Sequence, residues 1–254
     1  SRRQRQMCIR DSQTDKDGNL IYLYSNNMDE QYSYIDAAKN RGYNILLMDG
    51  QLDVAMISML EQKFEKSRFT RVDSDVIDRL IAKEEHKEAN LESNQREILS
   101  SVFRSQLPQI KKVEFNVETQ SLGENGAPIM ITQSEYMRRM KEMANIQAGM
   151  SFYGEMPNMY NLVLNADHKL VKQVLTDAGN SCKAALEPIE SEMANLNNRR
   201  KELQKAQEGK KTEDIPQAEK DELNDIEKKI SDETTKKQAV LGEYANGNLS
   251  LIHI

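Results

Sequence analysis

Apolar positions along the chain keep two rhythms, a short sheet-like one and a longer helical one, and the switches between them divide the sequence. Leu20 to Tyr24 (LIYLY) is a short aliphatic and aromatic run directly after the turn signal Asp17-Gly18-Asn19, which predicts a strand. Asp29 to Arg41 then places Tyr32, Ile35 and Ala38 on one helical face, with Gly42 positioned to end the helix. Tyr43 to Met48 (YNILLM) is a continuous apolar run, the pattern of a strand covered on both faces. Asp49-Gly50 breaks it, and Leu52 to Phe64 predicts a second helix. Strand, helix, strand, helix is a compact α/β unit with a parallel pair.

From Asp73 to Gln106 the pattern turns helical and heavily charged, with Val76, Leu80, Leu91, Ile98, Val102 and Phe103 as anchors, and it is read as a connector. Val113 to Val117 (VEFNV) alternates apolar with polar side chains, and Pro128 to Ile131 (PIMI) follows the turn Gly123 to Gly126, so the two are expected to form an antiparallel hairpin. Thr132-Gln-Ser-Glu135 has the spacing of a capping box at the start of a methionine-rich helix. Met159 to Leu164 (MYNLVL) predicts a further strand, followed after Asn165 to His168 by a helix through Leu175. Beyond Pro188 two narrow apolar seams follow. Ile189, Met193, Leu196 and Leu203 form one; Leu223, Ile226, Ile230, Leu241 and Tyr244 form the other, with a polar gap. Joined around Gly209 to Pro216, they predict an antiparallel coiled-coil hairpin.

The two ends do not fit this pattern. SRRQRQMCIRDS carries four arginines on an acidic chain, and LSLIHI follows the turn-like YANGN. Met7 to Asp11 is a translation of the transposase mosaic end used in sequencing libraries, and Leu249 to Ile254 is a translation of its reverse complement. Residues 1–12 and 249–254 are therefore expected to be adapter-derived and are set aside. The remainder is divided into 13–72, an αβα unit; 73–182, a mixed α/β domain; and 183–248, a charged helical hairpin. The fold class expected is α+β, a small αβα subdomain and then a mixed domain with a long helical hairpin.

Composition narrows the function classes. No apolar run reaches the ~18 residues of a membrane helix. The formal net charge of −6, more negative still without the first twelve residues, argues against a nucleic-acid face. Setting the ends aside leaves Cys182 as the one cysteine, so no disulfide or cysteine-based metal site can be built within the chain, and Cys182 is read as a half-buried small hydrophobe. Neither a dinucleotide fingerprint nor a phosphate-cradling P-loop is present. His86 lies in EEHKE, a solvated charged stretch. His168 beside Asp167 is a conceivable general base, but no nucleophile accompanies it. No catalytic site and no metal site emerge.

One feature remains. Seven of the thirteen methionines fall between Met130 and Met159. In YMRRMKEMANIQAGM, Tyr136, Met137, Met140, Met143 and Ala144 make one stripe of a helix, and Arg138, Arg139, Lys141 and Glu142 make the opposite face. Stripes at helical spacing usually mark core, yet methionine also suits surfaces that accept many partners.

The order of segments resembles the C-terminal part of the bacterial ninety-kilodalton heat-shock protein chaperone family. The first stretch that carries the resemblance is LIYLYSNNMDEQYSYIDAAKNRGYNILLMDGQLDVAMISML, similar to the last α/β subdomain of the family's middle domain. The second is MANIQAGMSFYGEMPNMYNLVLNADHKLVKQVL, similar to its C-terminal domain, with KSRFTRVDSD at the passage between them. The resemblance implies a homodimeric, ATP-driven, cytoplasmic chaperone of partly folded clients. It also implies that the ATPase, with its ATP and Mg, and the dimerisation helices lie outside this segment, which is then not itself an enzyme and holds no cofactor. It shifts the methionine helix toward a contact surface, with Tyr136, Met137, Met140, Met143 and Ile146 as client contacts. No nucleic-acid or membrane partner is expected. Two other readings stand beside it: a structural coiled-coil adaptor with Leu196 and Ile226 in its seam, and a small α/β enzyme using His168.

Overall fold

A computed structural model of the chain describes residues 12–50, 52–83, 89–146, 156–207 and 216–248. Residues 1–11 of the set-aside segment 1–12, the set-aside residues 249–254, His86 and most of the hairpin's connecting segment lie outside the described residues. The architecture is α+β and falls into two compact units: residues 1–90 with 109–168, and residues 91–108 with 169–254.

The first unit opens with β1 (Leu20–Ser25), α1 (Tyr32–Asn40), β2 (Ile45–Leu47), α2 (Asp53–Lys63), β3 (Ser67–Arg71) and the short α3 (Ile77–Leu80). The strands form a wholly parallel sheet in the order β2-β1-β3. Alternation along β1 builds both faces at once. Ile21 and Leu23 pack with Ile35 and Ala38 of α1 and with Val72, Leu80 and Ile81 on one side. Tyr24 packs with Ile57 of α2 and Phe69 of β3 on the other. Gly42, at φ +75°, ends α1 in a Schellman arrangement, its N–H donating to Lys39 O at 2.8 Å and that of Tyr43 to Ala38 O at 3.0 Å.

Three expectations are corrected here. Tyr32 is exposed rather than on the core face of α1; buried Gln31 takes the place facing inward, its Oε1 accepting from Ser25 Oγ at 2.8 Å. Tyr43 to Met48 shortens to a three-residue edge strand with Leu46 and Leu47 exposed, because β1 occupies the centre of the sheet and covers only one side of β2. SRFTR, read as an interdomain passage, is the strand β3, paired with β1 from Leu20↔Ser67 to Tyr24↔Arg71.

The same unit contains a second sheet from β4 (Val113–Gln120), β5 (Ile129–Thr132) and β6 (Asn158–Asn165), with α5 (Glu135–Ile146) between β5 and β6. The order is β4-β6-β5, so β4 and β5 do not form the expected hairpin. The strand with the longest buried run, β6, takes the centre and buries Leu162, Val163 and Leu164; β4 runs parallel to it and β5 antiparallel. The β4–β5 connection is folded over the end of β6. Buried Asn165 accepts from Leu122 N at 3.1 Å and donates to Gly123 O at 2.8 Å. A Cβ on Gly126 would stand 2.7 Å from Leu122 O, which explains a glycine there.

The second unit is helical: α4 (Ser93–Ser105), α6 (Lys169–Gln207) and α7 (Gln217–Gly247). The long helices are antiparallel, since Arg199 meets Glu222 at 2.7 Å while Glu190 meets Lys237 at 3.3 Å. Near the hairpin tip Leu196, Leu203 and Ile226 form a small core with Ile230. Towards the other end α4 packs on both long helices, burying Ile98, Leu99, Val102 and Phe103. The charged connector is thus not one continuous helix: α3 and α4 are separate. Nor does a helix stop near Leu175, because α6 runs 39 residues straight through Pro188. Pro188 and Ala184 both lie on the exposed side, so the carbonyl that loses its intrahelical donor faces water, and the buried series Val171, Val174, Ala178, Cys182 and Leu186 holds the helix together. Cys182 is fully buried in mid-helix, and burial pushes its thiol pKa up, the reverse of what a nucleophile needs.

Candidate functional site

Helix α5 begins at Glu135, not at Thr132, and the expected capping box is not formed. Thr132 belongs to β5 and its buried hydroxyl has no hydrogen-bond partner. The Glu135 carboxylate is engaged elsewhere. Its Oε1 accepts from Tyr24 OH at 2.9 Å, from Arg138 Nη2 at 2.7 Å and from Arg139 Nε at 2.6 Å, and its Oε2 accepts from Arg71 N at 3.3 Å. Arg139 continues the network, donating to Glu61 at 2.8 and 3.3 Å and to Phe69 O, while Arg138 also donates to Tyr24 OH. Around this centre Arg71 donates to Gln133 at 3.2 Å and pairs with Asp73, and Tyr34 OH donates to Ile131 O.

Burial and charge set the electrostatics of this cluster. Burial first, and then the Glu135 charge, push the Tyr24 phenol well above its ordinary pKa, so it stays protonated as a donor. Burial opposes the charge on Arg139, but the hydrogen bonds and charges of Glu61 and Glu135 outweigh it and raise its pKa. Tyr34 is also raised, by burial and by Asp73.

The consequence for α5 is that its charged side is buried together with part of its apolar side, since Ala144 of the stripe is also buried. Arg138, on the charged face, is only 5% exposed. At 100° per residue Glu135, Arg138 and Arg139 share one sector, and Met137 and Met140 lie opposite. Tyr136 is 67% exposed, and Met137 and Met140 are half-buried. Met143 and Ile146 lie on the backbone of α5, but their side chains lie outside the described part, as do residues 147–155. Of the five expected contact residues the helix therefore carries all on one element, and three have described side chains, none of them fully buried. The residues that the sequence reading missed are Tyr24, Glu61, Arg71 and the triplet Glu135, Arg138 and Arg139. The triplet's i, i+3, i+4 spacing was the available signal.

His168 does not assemble a catalytic group. Its backbone N–H donates to Asn165 O at 3.1 Å, and neighbouring Asp167 accepts from Ser121 Oγ and from Gly123 N at 2.9 Å, so the carboxylate holds a loop. Among the described residues no cluster of His, Cys, Asp or Glu could hold a metal ion.

Comparison with known proteins agrees with this architecture. The family model described as Hsp90 protein matches residues 12–187. The chaperone protein HtpG of Bacteroides fragilis is 67% identical over 243 residues, covering 96% of this chain and 36% of its own length. The HtpG of Bacteroides thetaiotaomicron is 65% identical over the same extent, and that of Porphyromonas gingivalis 45% identical over 238 residues, or 34% of its length. With 243 of 254 residues aligned, the Bacteroides matches extend well past residue 187 into the α6–α7 hairpin. The chain spans about a third of the length of these relatives, and it belongs to the Hsp90 protein family.

Proposed function

We propose that this chain is the client-binding and scaffold portion of an ATP-driven chaperone. The relatives' names as chaperones support the class of activity, and one observation carries the site: α5 is docked by its charged face while Tyr136, Met137 and Met140 occupy the opposite side. Unbranched, polarizable methionines adapt to irregular apolar segments, the chemistry a partly folded client offers. Tyr136, Met137, Met140 and Met143 are the contact residues in this reading; position 146, at about 20° from Glu135 on the helix, falls in the docked sector and drops out of the set. ATP and Mg are used elsewhere in the whole protein, which acts as a cytoplasmic homodimer; this segment contributes no cofactor site and no nucleic-acid or membrane surface. Among the described residues no helix is long and apolar enough to cross a membrane.

The test is Met137→Ser, Met140→Ser and Met143→Ser together. Capture of a chemically denatured reporter enzyme should weaken about tenfold or more, since several apolar anchors are lost. The midpoint of thermal unfolding should move little. A matching fall in thermal stability with client capture retained would make the stripe core and defeat the proposal.

A further inference from the structure

The charged face of α5 meets polar groups, the Tyr24 hydroxyl, the Glu61 carboxylate and the Phe69 carbonyl, that rim an apolar cluster. Tyr24, Ile57 and Phe69 form the core beneath it, with Tyr22, Met48 and Leu60 packed alongside. On hydrophobicity alone, an amphipathic helix beside such a cluster would turn its methionines inward. The opposite orientation requires groups that make the outward pose the better one, and one carboxylate joins them. Glu135 Oε1 receives Tyr24 OH, Arg138 and Arg139 at 2.6 to 2.9 Å, and Arg139 is tied in turn to Glu61. Tyr24 is fully buried and Arg138 nearly so, which makes the network intolerant of a missing partner.

We propose that Glu135, acting through Arg138 and Arg139, is a positioning residue that turns the methionine stripe of α5 away from the αβα layer and keeps it available to apolar client segments. The inference rests on the reading of that stripe as the client contact. Rotating α5 inward would satisfy Met137 and Met140 against Tyr24 and Phe69, hide the contact face and strand the two arginines. The charges therefore act as negative selection against the collapsed pose, at the same place where they provide attraction for the open one.

The experiment follows thiol reactivity and client capture in the same chains. In a background with Cys8 and Cys182 replaced by Ala, single cysteines at positions 137 and 140 report the exposure of the stripe to a polar maleimide. Replacing Glu61→Gln, Glu135→Met, Arg138→Leu and Arg139→Leu together removes the network without leaving either carboxylate deprived of its arginines. Reactivity at both positions should then fall about tenfold, and capture of a denatured reporter should fall with it, while far-UV circular dichroism keeps its helical signal. Glu135→Gln, which preserves shape, should move reactivity and capture in the same direction. Unchanged reactivity in either folded variant overturns the proposal. If reactivity falls and capture does not, the stripe is not the client contact and the proposal falls with that reading. The serine substitutions at the methionines, made with the charge network intact, test that reading by itself.

Discussion

At the residue scale, buried polar atoms separate into those that are answered and those that are not, and the Thr132 hydroxyl is among the second group. Tyr24, Glu135 and the two arginines answer one another, and Asn165 is answered by the loop it organises. Thr132 is 1% exposed, lies in β5 opposite Asn161, and its hydroxyl has no partner. Burying an unpaired hydroxyl costs about 1–3 kcal/mol. Thr132→Val keeps the branched shape and β preference while removing that cost, so it should raise stability by about 1 kcal/mol in urea denaturation. A loss of stability would mean that the hydroxyl has a partner. The capping-box spacing was legible in the sequence, but the geometry that would realise it was not: Thr132 is drawn into the sheet and Glu135 is claimed by Tyr24, a residue 111 positions away. Local spacing carries no information about a competitor so distant in the chain.

At the element scale, strands and helices with strong periodicity were readable, and partners were not. LIYLY, VEFNV and MYNLVL all lie within strands, because alternation or apolar runs mark them directly. SRFTR has one core residue, Phe69, and owes its strand to pairing with β1, so nothing local announces it. The order β4-β6-β5 likewise depends on β6, which comes later in the chain than both strands it separates. The methionine stripe was legible as a stripe, and its outward pose was not, because that depends on the charged face finding Tyr24 and Glu61.

The polar gap in α7 has the same explanation: Lys237, 3% exposed, donates to Asn94 at 2.7 Å and to Glu97 at 2.8 Å and pairs with Glu190 at 3.3 Å, joining α4, α6 and α7 at one ammonium. Both carboxylates keep about a third of their side-chain surface in water, 34% and 35%. Removing the ammonium therefore leaves each carboxylate partly hydrated, although Glu190 Oε1 itself is buried. Lys237→Met should stay within about 1 kcal/mol of the parent in urea denaturation, whereas Leu241→Ala in the same seam should cost about 2–5 kcal/mol. A Lys237→Met loss as large as that of Leu241→Ala would make the ion cluster a main source of hairpin stability.

At the scale of the whole molecule, the two units interleave in sequence. Residues 91–108 fall between two parts of the first unit, yet α4 belongs to the second, where it packs on α6 and α7. Sequence order suggested successive domains, since the charged stretch before VEFNV looks like a connector. Its apolar face, Ile98, Leu99, Val102 and Phe103, was visible, but its cover begins only at residue 169. This arrangement makes a specific demand on truncation. A chain ended at His168 retains every segment of the first unit, both sheets included, and removes the whole of α6 and α7. The four buried side chains of α4 then lose their cover, an apolar face that water opposes by about 1.5–3 kcal/mol for each such residue. The truncated chain should bind the dye anilinonaphthalene sulfonate and self-associate by light scattering. Adding Leu99→Lys and Val102→Glu to the same truncation should reverse both, because those positions lie on the buried face of α4, the helix that packs on α6 and α7. Dye binding that persists with the two charges in place would show that the first unit itself had opened, and would overturn the prediction.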